Sequence, residues 1–314
     1  MRTVVLGAGR MGHGLGLSYA LGGHAVVLVD RDAAALEHAE ARVRAAAAFL
    51  AANGLATGDA AGQAVARIAY SGEVARACAT ADLVQEAIPE VLPDKQALFA
   101  EVEPLVRPDA IIATNTSSLR IAALSAGMRQ PGRLIGMHWV APPYIVPIVE
   151  VVRVPATPDE IVARAVAILE GIGKVPIVVP DVPGFALNRL QFALFSEAVD
   201  LVDQGIVTPE QVDLIVRHAM APRQLAFGQF RLFDLIVSGR TVQAVADYLY
   251  QETGDSRFRP SPRLAEMVAA GRLGLASGAG WYEYDGDPTD VERERDQAFA
   301  LAYRALAELD RQRN

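Results

Sequence analysis

The stretch "TVVLGAGRMGHG" at residues 3–14 holds the spacing that decides the fold. A short β-branched run leads into glycines with G-x-G-x-x-G spacing, and a helical pattern follows. Asp30 closes the next apolar run, 18 residues after the third glycine. Glycines at these places let a pyrophosphate approach the backbone N–H groups of a helix start, and an acid at this distance binds ribose hydroxyls. The predicted dinucleotide contacts are Gly7, Gly9, Arg10, Met11, Gly12 and Asp30.

The residues at the end of the second strand bear on which dinucleotide binds. Asp30 favours NAD over NADP, because a carboxylate repels a 2′-phosphate. Arg31 follows directly and points the other way, since an arginine can receive that phosphate, although it can also stack on adenine. We therefore expect NAD as the cofactor, with Arg31 beside Asp30 at its adenosine end.

Apolar runs alternate with helical segments along the first half of the chain. Near-continuous apolar strands joined by helices are typical of a parallel sheet covered on both faces. The Ala-rich residues 33–52 have the composition of a helix. The predicted fold class is α/β, with a Rossmann-type doubly wound sheet over residues 1–182. Its predicted strands lie at residues 3–9, 25–30, 81–88, 110–115, 133–139, 147–153 and 175–180.

The strand pattern stops at "DVPGF", residues 181–185, which carries two residues that break regular structure. Beyond it the pattern is helical, and "TPEQ" at 208–211 predicts a capped helix that begins with proline. We therefore expect an all-helical domain over residues 183–314. Apolar helices in a small domain often complete their burial in a dimer, so a homodimer through this domain is expected.

The stretch "GMHWVAPPYIVPIVEV" at residues 136–151 contains a candidate catalytic pair. His138 and Glu150 lie six residues either side of Tyr144, so a bend there would place them opposite each other on two strands. A carboxylate beside an imidazole fixes its tautomer and raises its basicity, as a general base for alcohol oxidation requires. On spacing alone, a structural histidine at the end of a strand is the alternative.

A set of motifs in a fixed order carries a family resemblance. The glycine-rich start is followed by "ATNTSSL" (113–119), by the histidine and glutamate motif (136–152), and by "PGFALNRL" (183–190). Over nearly the whole chain this resembles the 3-hydroxyacyl-CoA dehydrogenase family, including its L-gulonate 3-dehydrogenase (lambda-crystallin) and L-carnitine dehydrogenase-like branch. The resemblance implies an NAD-dependent oxidoreductase that acts on a CH–OH group, in fatty acid metabolism for the acyl-CoA members.

The resemblance also implies roles for individual residues. His138 is the general acid and base, and Glu150 orients and polarises it. Ser117 and Asn188 hydrogen-bond the reacting oxygen and the surroundings of the histidine. Plainer alternatives exist, because Ser117 could cap a helix and Asn188 could be an ordinary amide on a helix face. The implied cofactor contacts are Glu90, Lys95 and Asn115, with a solvated side chain as the alternative for Lys95.

The chain departs from the family pattern at several places. Ala141 stands where similar chains usually carry an asparagine, which removes one amide from the site. The helical excursion at residues 31–81 contains no lysine, which makes it poor support for binding the phosphates of CoA. Beyond Arg31, its arginines are Arg42, Arg44, Arg67 and Arg76. The candidate substrate contacts are Tyr144, Arg231 and Arg240, with a plain surface role as the alternative for both arginines.

The composition limits the classes of partner. The 314-residue chain has a formal charge of −8 and a pI of about 5.2, which argues against nucleic acid and an anionic membrane surface. No apolar run approaches the roughly 20 residues of a membrane helix. The single cysteine, Cys78, excludes an internal disulfide and a cysteine-rich metal site and fits a reducing cytoplasm. We expect a cytoplasmic enzyme that acts on a small-molecule substrate and has no metal site.

Three functions remain open at this point. The first is oxidation of a short-chain 3-hydroxyacyl-CoA of the 3-hydroxybutyryl-CoA type, favoured by the complete set of Ser, His, Glu and Asn. The second is oxidation of a free small 3-hydroxy acid or alcohol of the gulonate, carnitine or pyridine-aldehyde type, favoured by "PPY" (142–144) and the lysine-free excursion. The third is a non-catalytic NAD-binding structural protein, against which the retained histidine and glutamate argue. We expect the first.

Overall fold

The computed structural model describes residues 1–313 and divides into two compact units. The N-terminal unit is Met1–Leu194, and the C-terminal unit begins at Phe195. The division falls inside one helix, Leu187–Asp203. The domain boundary expected between residues 182 and 183 therefore stays a prediction.

The N-terminal unit contains one eight-stranded sheet with the order β3-β2-β1-β4-β5-β6-β7-β8. The strands are β1 (Arg2–Leu6), β2 (Ala25–Val29), β3 (Ile68–Ser71), β4 (Leu83–Glu86), β5 (Ile111–Thr114), β6 (Leu134–Trp139), β7 (Ile148–Arg153) and β8 (Val175–Pro180). The first six strands are parallel, in the order 3-2-1-4-5-6 of doubly wound dinucleotide-binding folds. The predicted fold class is confirmed.

Helices cover both faces of this sheet. Val5 of β1 faces the helices at residues 12–21, 33–52 and 159–171. Its neighbours Val4 and Leu6 face the helices at residues 74–78, 92–102 and 121–124, as the two-residue period of a strand requires. The predicted Ala-rich helix is present, and the Asp32 side chain caps it by accepting from the N–H of Ala34. The helices are α1 (Gly12–Leu21), α2 (Ala33–Ala52), α3 (Gly58–Ala66), α4 (Val74–Cys78), α5 (Leu92–Val102), α6 (Ile121–Leu124), α7 (Asp159–Gly171) and α8 (Leu187–Asp203).

The sheet differs from the predicted one at both edges. β3, with the sequence "IAYS", was not among the predicted strands, because four residues at an edge, of which only Ile68 is buried, give little hydrophobic signal. β7 runs antiparallel to β6, and β8 is parallel to β7, so the sheet is not parallel throughout. At the β8 edge, Val175 and Ile177 are 53% and 47% exposed, so this strand is not covered on both faces.

The C-terminal unit is helical. Thr208 accepts from the N–H of Gln211, and the Gln211 side chain accepts from the N–H of Thr208, which confirms the predicted cap. A π-helical turn, Val216–Met220, follows α9, and the hydroxyl of Tyr303 donates to the carbonyl of His218 within it at 2.9 Å. The helices are α9 (Pro209–Ile215), α10 (Ala221–Phe227), α11 (Phe230–Ile236), α12 (Gly239–Thr253), α13 (Pro262–Ala269) and α14 (Pro288–Arg313).

The packing of the glycine loop generates a paired prediction. A Cβ on Gly12 would lie 1.7 Å from the carbonyl oxygen of Gly7, whereas a Cβ on Gly9 would have nothing within 4 Å. We expect Gly12→Ala to lower the free energy of unfolding by about 1–3 kcal/mol, because the loop and α1 must move apart. Gly9→Ala should leave that energy unchanged yet weaken NADH binding. Urea unfolding and NADH fluorescence measure the two effects, and equal stability of the two variants would contradict the prediction.

Candidate active site

The loop between β1 and α1 has the shape that its glycine spacing predicts. Gly7 adopts a φ of +101°, and a Cβ there would lie 2.7 Å from the carbonyl oxygen of Ala87. The N–H of Ala8 donates to Oδ2 of Asp30 at 2.8 Å, and the N–H of Asp32 donates to Oδ1 at 3.1 Å. The Asp30 carboxylate therefore joins the loop to the end of β2.

The turn that precedes α1 faces open space. No heavy atom would meet a Cβ on Gly9, Arg10 is exposed, and Met11 is partly buried against the core. The start of a helix attracts anions, since its first backbone N–H groups have no partner within the helix. The open turn therefore fits a pyrophosphate.

A cavity of about 290 Å³ lies beside the glycine loop. Gly7, Asp30 and Arg31 line it, with an apolar wall formed by Val74, Ile88 and Leu98. An apolar wall beside a carboxylate fits the adenine and ribose of NAD. The guanidinium of Arg31 is engaged, because its Nη2 atom lies 2.6 Å from Oε2 of Glu101 on α5.

The connection between β6 and β7 brings His138 and Glu150 together. The antiparallel register pairs the two residues directly, so the position expected from their spacing about Tyr144 is confirmed. Nδ1 of His138 lies 2.8 Å from Oε2 of Glu150, and the residues are 4% and 3% exposed. An ionised carboxylate only accepts hydrogen bonds, so we assign the proton to Nδ1, which leaves Nε2 as the basic nitrogen.

The second oxygen of Glu150 holds the start of α8. Oε1 accepts from the N–H groups of Ala186 and Leu187, both at 2.9 Å. Phe185, just before them, has a φ of +49° and packs its buried ring against His138, with the ring centroids 5.7 Å apart. The carboxylate is thus satisfied by the imidazole on one side and by a helix start on the other.

The loop after β5 brings the remaining predicted catalytic residues together. Nδ2 of Asn188 donates to the carbonyl oxygen of Ser117 at 2.6 Å. Oδ1 of Asn115 accepts from the N–H of Trp139 at 2.9 Å, so this loop also contacts the end of β6 beside the histidine. The helix-cap alternative for Ser117 is excluded, because α6 begins only at Ile121.

The carboxylate of Glu90 holds the loop after β5 in place through hydrogen bonds. Its Oε1 atom accepts from the hydroxyl of Thr116 at 2.6 Å, the N–H of Ser117 at 2.9 Å and the N–H of Ser118 at 3.0 Å. Burial alone would raise the pKa of the Glu90 carboxyl, but these hydrogen bonds and the charge of Lys95 lower that pKa to about 2. Glu90 is therefore ionised throughout the ordinary pH range.

Lys95 is 1% exposed, which excludes the solvated alternative. Its Nζ atom lies 2.6 Å from Oε1 of Glu86 and 3.3 Å from Oε2 of Glu90. The hydroxyl of Thr114 donates to Oε2 of Glu86 at 2.5 Å. Sequence reasoning missed Glu86 and Thr114, although a carboxylate at the end of the strand "LVQE" is a signal for a buried ion pair.

The bend between β6 and β7 lies against the start of α1. A Cβ on Gly14 would come within 2.7 Å of Pro143, and the rings of Tyr144 and His13 are 6.5 Å apart. Nζ of Lys174 donates to the carbonyls of Pro143 at 2.6 Å and Val146 at 3.0 Å. Lys174 was also missed, and the scarcity of lysine in this chain is the signal that could have found it.

The remaining candidate substrate contacts belong to the C-terminal unit. Arg231 is exposed and stacks on the ring of Tyr282, with its guanidinium carbon 4.3 Å from the ring centroid. Arg240 is exposed in the first turn of α12, where its N–H donates to the hydroxyl of Ser238. A contact of either arginine with a substrate stays a prediction.

Within residues 1–313, no group of three or more histidine, cysteine, aspartate or glutamate side chains is placed to hold a metal ion. In the same part of the chain, no helix combines the length and apolarity needed to cross a bilayer.

Two family models match successive parts of the chain. The model described as "3-hydroxyacyl-CoA dehydrogenase, NAD binding domain" matches residues 2–182. The model described as "3-hydroxyacyl-CoA dehydrogenase, C-terminal domain" matches residues 184–284. Residues 285–314, which include the whole of α14, lie beyond both models.

Relatives with two kinds of substrate are similar to this chain. A probable 3-hydroxybutyryl-CoA dehydrogenase of Deinococcus radiodurans is 36% identical and covers 90% of this chain and 100% of its own. The 5-formyl-3-hydroxy-2-methylpyridine 4-carboxylate 5-dehydrogenase of Mesorhizobium japonicum is 33% identical and covers 96% of this chain and 97% of its own. A solved 3-hydroxyacyl-CoA dehydrogenase of Archaeoglobus fulgidus has a TM-score of 0.83 at 28% identity, covering 98% of this chain and 99% of its own.

Proposed function

The chain belongs to the 3-hydroxyacyl-CoA dehydrogenase family, and from that premise we propose that it oxidises a short-chain 3-hydroxyacyl-CoA of the 3-hydroxybutyryl-CoA type. It is an NAD-dependent oxidoreductase that acts on a CH–OH group. The observation that carries the proposal is the buried hydrogen bond between His138 and Glu150. Two relatives named as probable 3-hydroxybutyryl-CoA dehydrogenases, 36% and 35% identical over 90% of this chain, support the substrate class.

His138 is the proposed general base. Its Nε2 atom takes the hydroxyl proton of the substrate while Nδ1 keeps its hydrogen bond to Glu150. The negative charge of Glu150 stabilises the imidazolium that this transfer creates. NAD, when bound, supplies the carbon that accepts the hydride. In the reverse direction, His138 returns the proton to the carbonyl oxygen of the substrate.

Ser117 and Asn188 are the proposed donors to the reacting oxygen. The hydrogen bond from the Asn188 side chain to the carbonyl oxygen of Ser117 fixes that side chain relative to the loop after β5. A placed hydroxyl and a placed amide stabilise an oxygen as negative charge develops on it. Asn115 holds the end of β6 through Trp139 and is also a proposed cofactor contact.

Some of the proposed cofactor residues touch NAD directly, and others support the residues that do. We propose that Glu90, whose side chain is 36% exposed, meets the nicotinamide end of NAD directly. Lys95 supports Glu90, because its buried ammonium contacts the carboxylates of both Glu86 and Glu90 and offsets part of their charge. At the other end, Asp30 and Arg31 meet the adenosine ribose and ring. The pyrophosphate contacts are Gly7, Gly9, Arg10, Met11 and Gly12.

A second candidate function is oxidation of a free small substrate of the pyridine-aldehyde type. Two of the arginines that would bind CoA phosphates are engaged within the excursion, since Arg44 pairs with Glu40 at 2.7 Å and Arg67 donates to Gln63 at 3.2 Å. The Mesorhizobium japonicum relative aligns over 96% of this chain, so the match extends past residue 284, where the family model ends. Both observations favour a substrate without CoA.

A cytoplasmic homodimer through the helical domain completes the proposal. Large apolar side chains of the C-terminal unit stay exposed in the single chain, among them Leu214, Leu225 and Tyr248 at 56%, 74% and 62%. An apolar surface of this kind is typical of a subunit interface.

We expect sedimentation equilibrium to give twice the 33.4 kDa of one chain, and a monomer at micromolar concentration would exclude the dimer.

The role of His138 makes a kinetic prediction. Replacing His138 with glutamine should lower kcat by about 10²–10⁴-fold, because a placed proton acceptor contributes that much. NADH binding should be unchanged, since the site of the adenosine end is untouched. His38→Gln is the matched control, because His38 is exposed on α2. A His138→Gln variant with a kcat near that of the wild type would refute the assignment.

One assay separates the two candidate substrates. NADH oxidation is followed with acetoacetyl-CoA, free acetoacetate, 3-dehydrocarnitine and pyridine aldehydes, each with the wild type and with His138→Gln. Turnover of acetoacetyl-CoA that is at least tenfold faster than that of the free compounds supports the first candidate. The reverse order replaces it with the second. NADH binding without turnover of any of them would favour the non-catalytic alternative and would contradict the proposal.

A further inference from the structure

Arg31 raises a question about cofactor choice that its position in the sequence leaves open. It follows Asp30 at the end of β2, where an arginine can receive the 2′-phosphate of NADP. The family of this chain uses NAD. Something in the structure must therefore prevent Arg31 from serving as a phosphate receptor.

The contact that does so comes from α5. Oε2 of Glu101 lies 2.6 Å from Nη2 of Arg31, in a charge-assisted hydrogen bond. Both residues line the cavity beside the glycine loop, so the bond lies in the wall that the adenosine end would meet. A guanidinium bound to a carboxylate must give up that partner, or share it, before it can bind a phosphate.

The other charges of the cavity act in the same direction. Asp30 and Asp94 also line it, so three carboxylates face one guanidinium. Both oxygens of Asp30 are fixed by backbone N–H groups, at 2.8 Å from Ala8 and 3.1 Å from Asp32. The carboxylate of Asp30 therefore cannot turn away to admit a phosphate without losing these bonds.

We propose that Glu101 is a specificity-determining residue, which favours NAD over NADP by pairing with Arg31 and withholding its guanidinium from a 2′-phosphate. The inference concerns cofactor choice and does not depend on which substrate is oxidised. It rests on the proposed ribose site at Asp30. Glu101 acts here by occupying a partner and by adding one negative charge to the cavity wall.

The test replaces Glu101 with glutamine and measures binding rather than turnover. The side chains of Arg31 and Glu101 are 71% and 43% exposed, so water weakens the pairing between them. With the carboxylate removed, Arg31 should be free to meet the phosphate, so the Kd of NADPH should fall about fivefold. The Kd of NADH should change less than twofold. Both are measured by cofactor fluorescence. The gain for NADPH should shrink at high salt, because exposed charges are screened.

Matched variants keep this result interpretable. Glu160→Gln removes the same charge from an exposed position on α7 and should not change either Kd. The double variant Arg31→Gln, Glu101→Gln should lose the gain for NADPH. An unchanged NADPH Kd in Glu101→Gln would overturn the proposal, as would a gain that survives in the double variant or occurs in Glu160→Gln.

One further variant separates this inference from the ribose site on which it rests. Asp30→Ala should weaken NADH binding more than NADPH binding, because it removes the ribose contact and one repelling charge together. Equal effects on the two cofactors would refute the ribose site itself. A normal result for Asp30→Ala with no gain in Glu101→Gln would refute only the role of Glu101.

Discussion

The Glu150 carboxylate is the group on which the rest of the site depends. One of its oxygens holds the imidazole of His138, and the other holds the backbone at the start of α8. A buried charge is costly unless it is hydrogen-bonded, and here the donors come from two separate elements. A shift of β7 by one residue would turn Glu150 to the other face of the sheet and break all these contacts at once. The tautomer of His138, the proposed base, and the position of α8 are therefore fixed by one strand register.

The other buried acids support the site. They differ from the pair of His138 and Glu150 in which atoms remain without a hydrogen-bond partner. Glu86 is closed by the Lys95 ammonium and the Thr114 hydroxyl, so it has no accessible atom with which to take a proton. Burial raises the pKa of Glu86, and those two partners oppose the shift. The pair of His138 and Glu150 is equally buried but keeps Nε2 free of the carboxylate. Burial by itself therefore does not distinguish a reacting acid–base pair from a structural one.

Much of this arrangement can be predicted from the sequence, because hydrophobic period and glycine spacing report local structure. Seven of the eight strands, the shape of the glycine loop and the opposition of His138 to Glu150 follow from spacing alone. The antiparallel direction of β7 follows from the same bend about Tyr144, because two strands joined by a tight bend run in opposite directions. The strand β3 does not, because its four residues at the edge of the sheet give little hydrophobic signal. The partner of Arg31 also could not be predicted. It lies 70 residues away along the chain, and only the folded sheet brings α5 to the end of β2.

The engaged arginines explain why residue types alone leave the substrate and cofactor choices open. A count gives the excursion four arginines for the phosphates of CoA, and it gives the turn after β2 one arginine, Arg31, for the phosphate of NADP. The structure lowers the number of arginines available to a phosphate at both places, because Arg44 and Arg31 already contact carboxylates at 2.7 Å and 2.6 Å. An arginine paired in this way attracts a phosphate less than an unpaired one, since the carboxylate cancels its charge at short range. The physical quantity that selects an anionic ligand is the uncompensated charge at the cavity wall, and that depends on long-range contacts rather than on residue type.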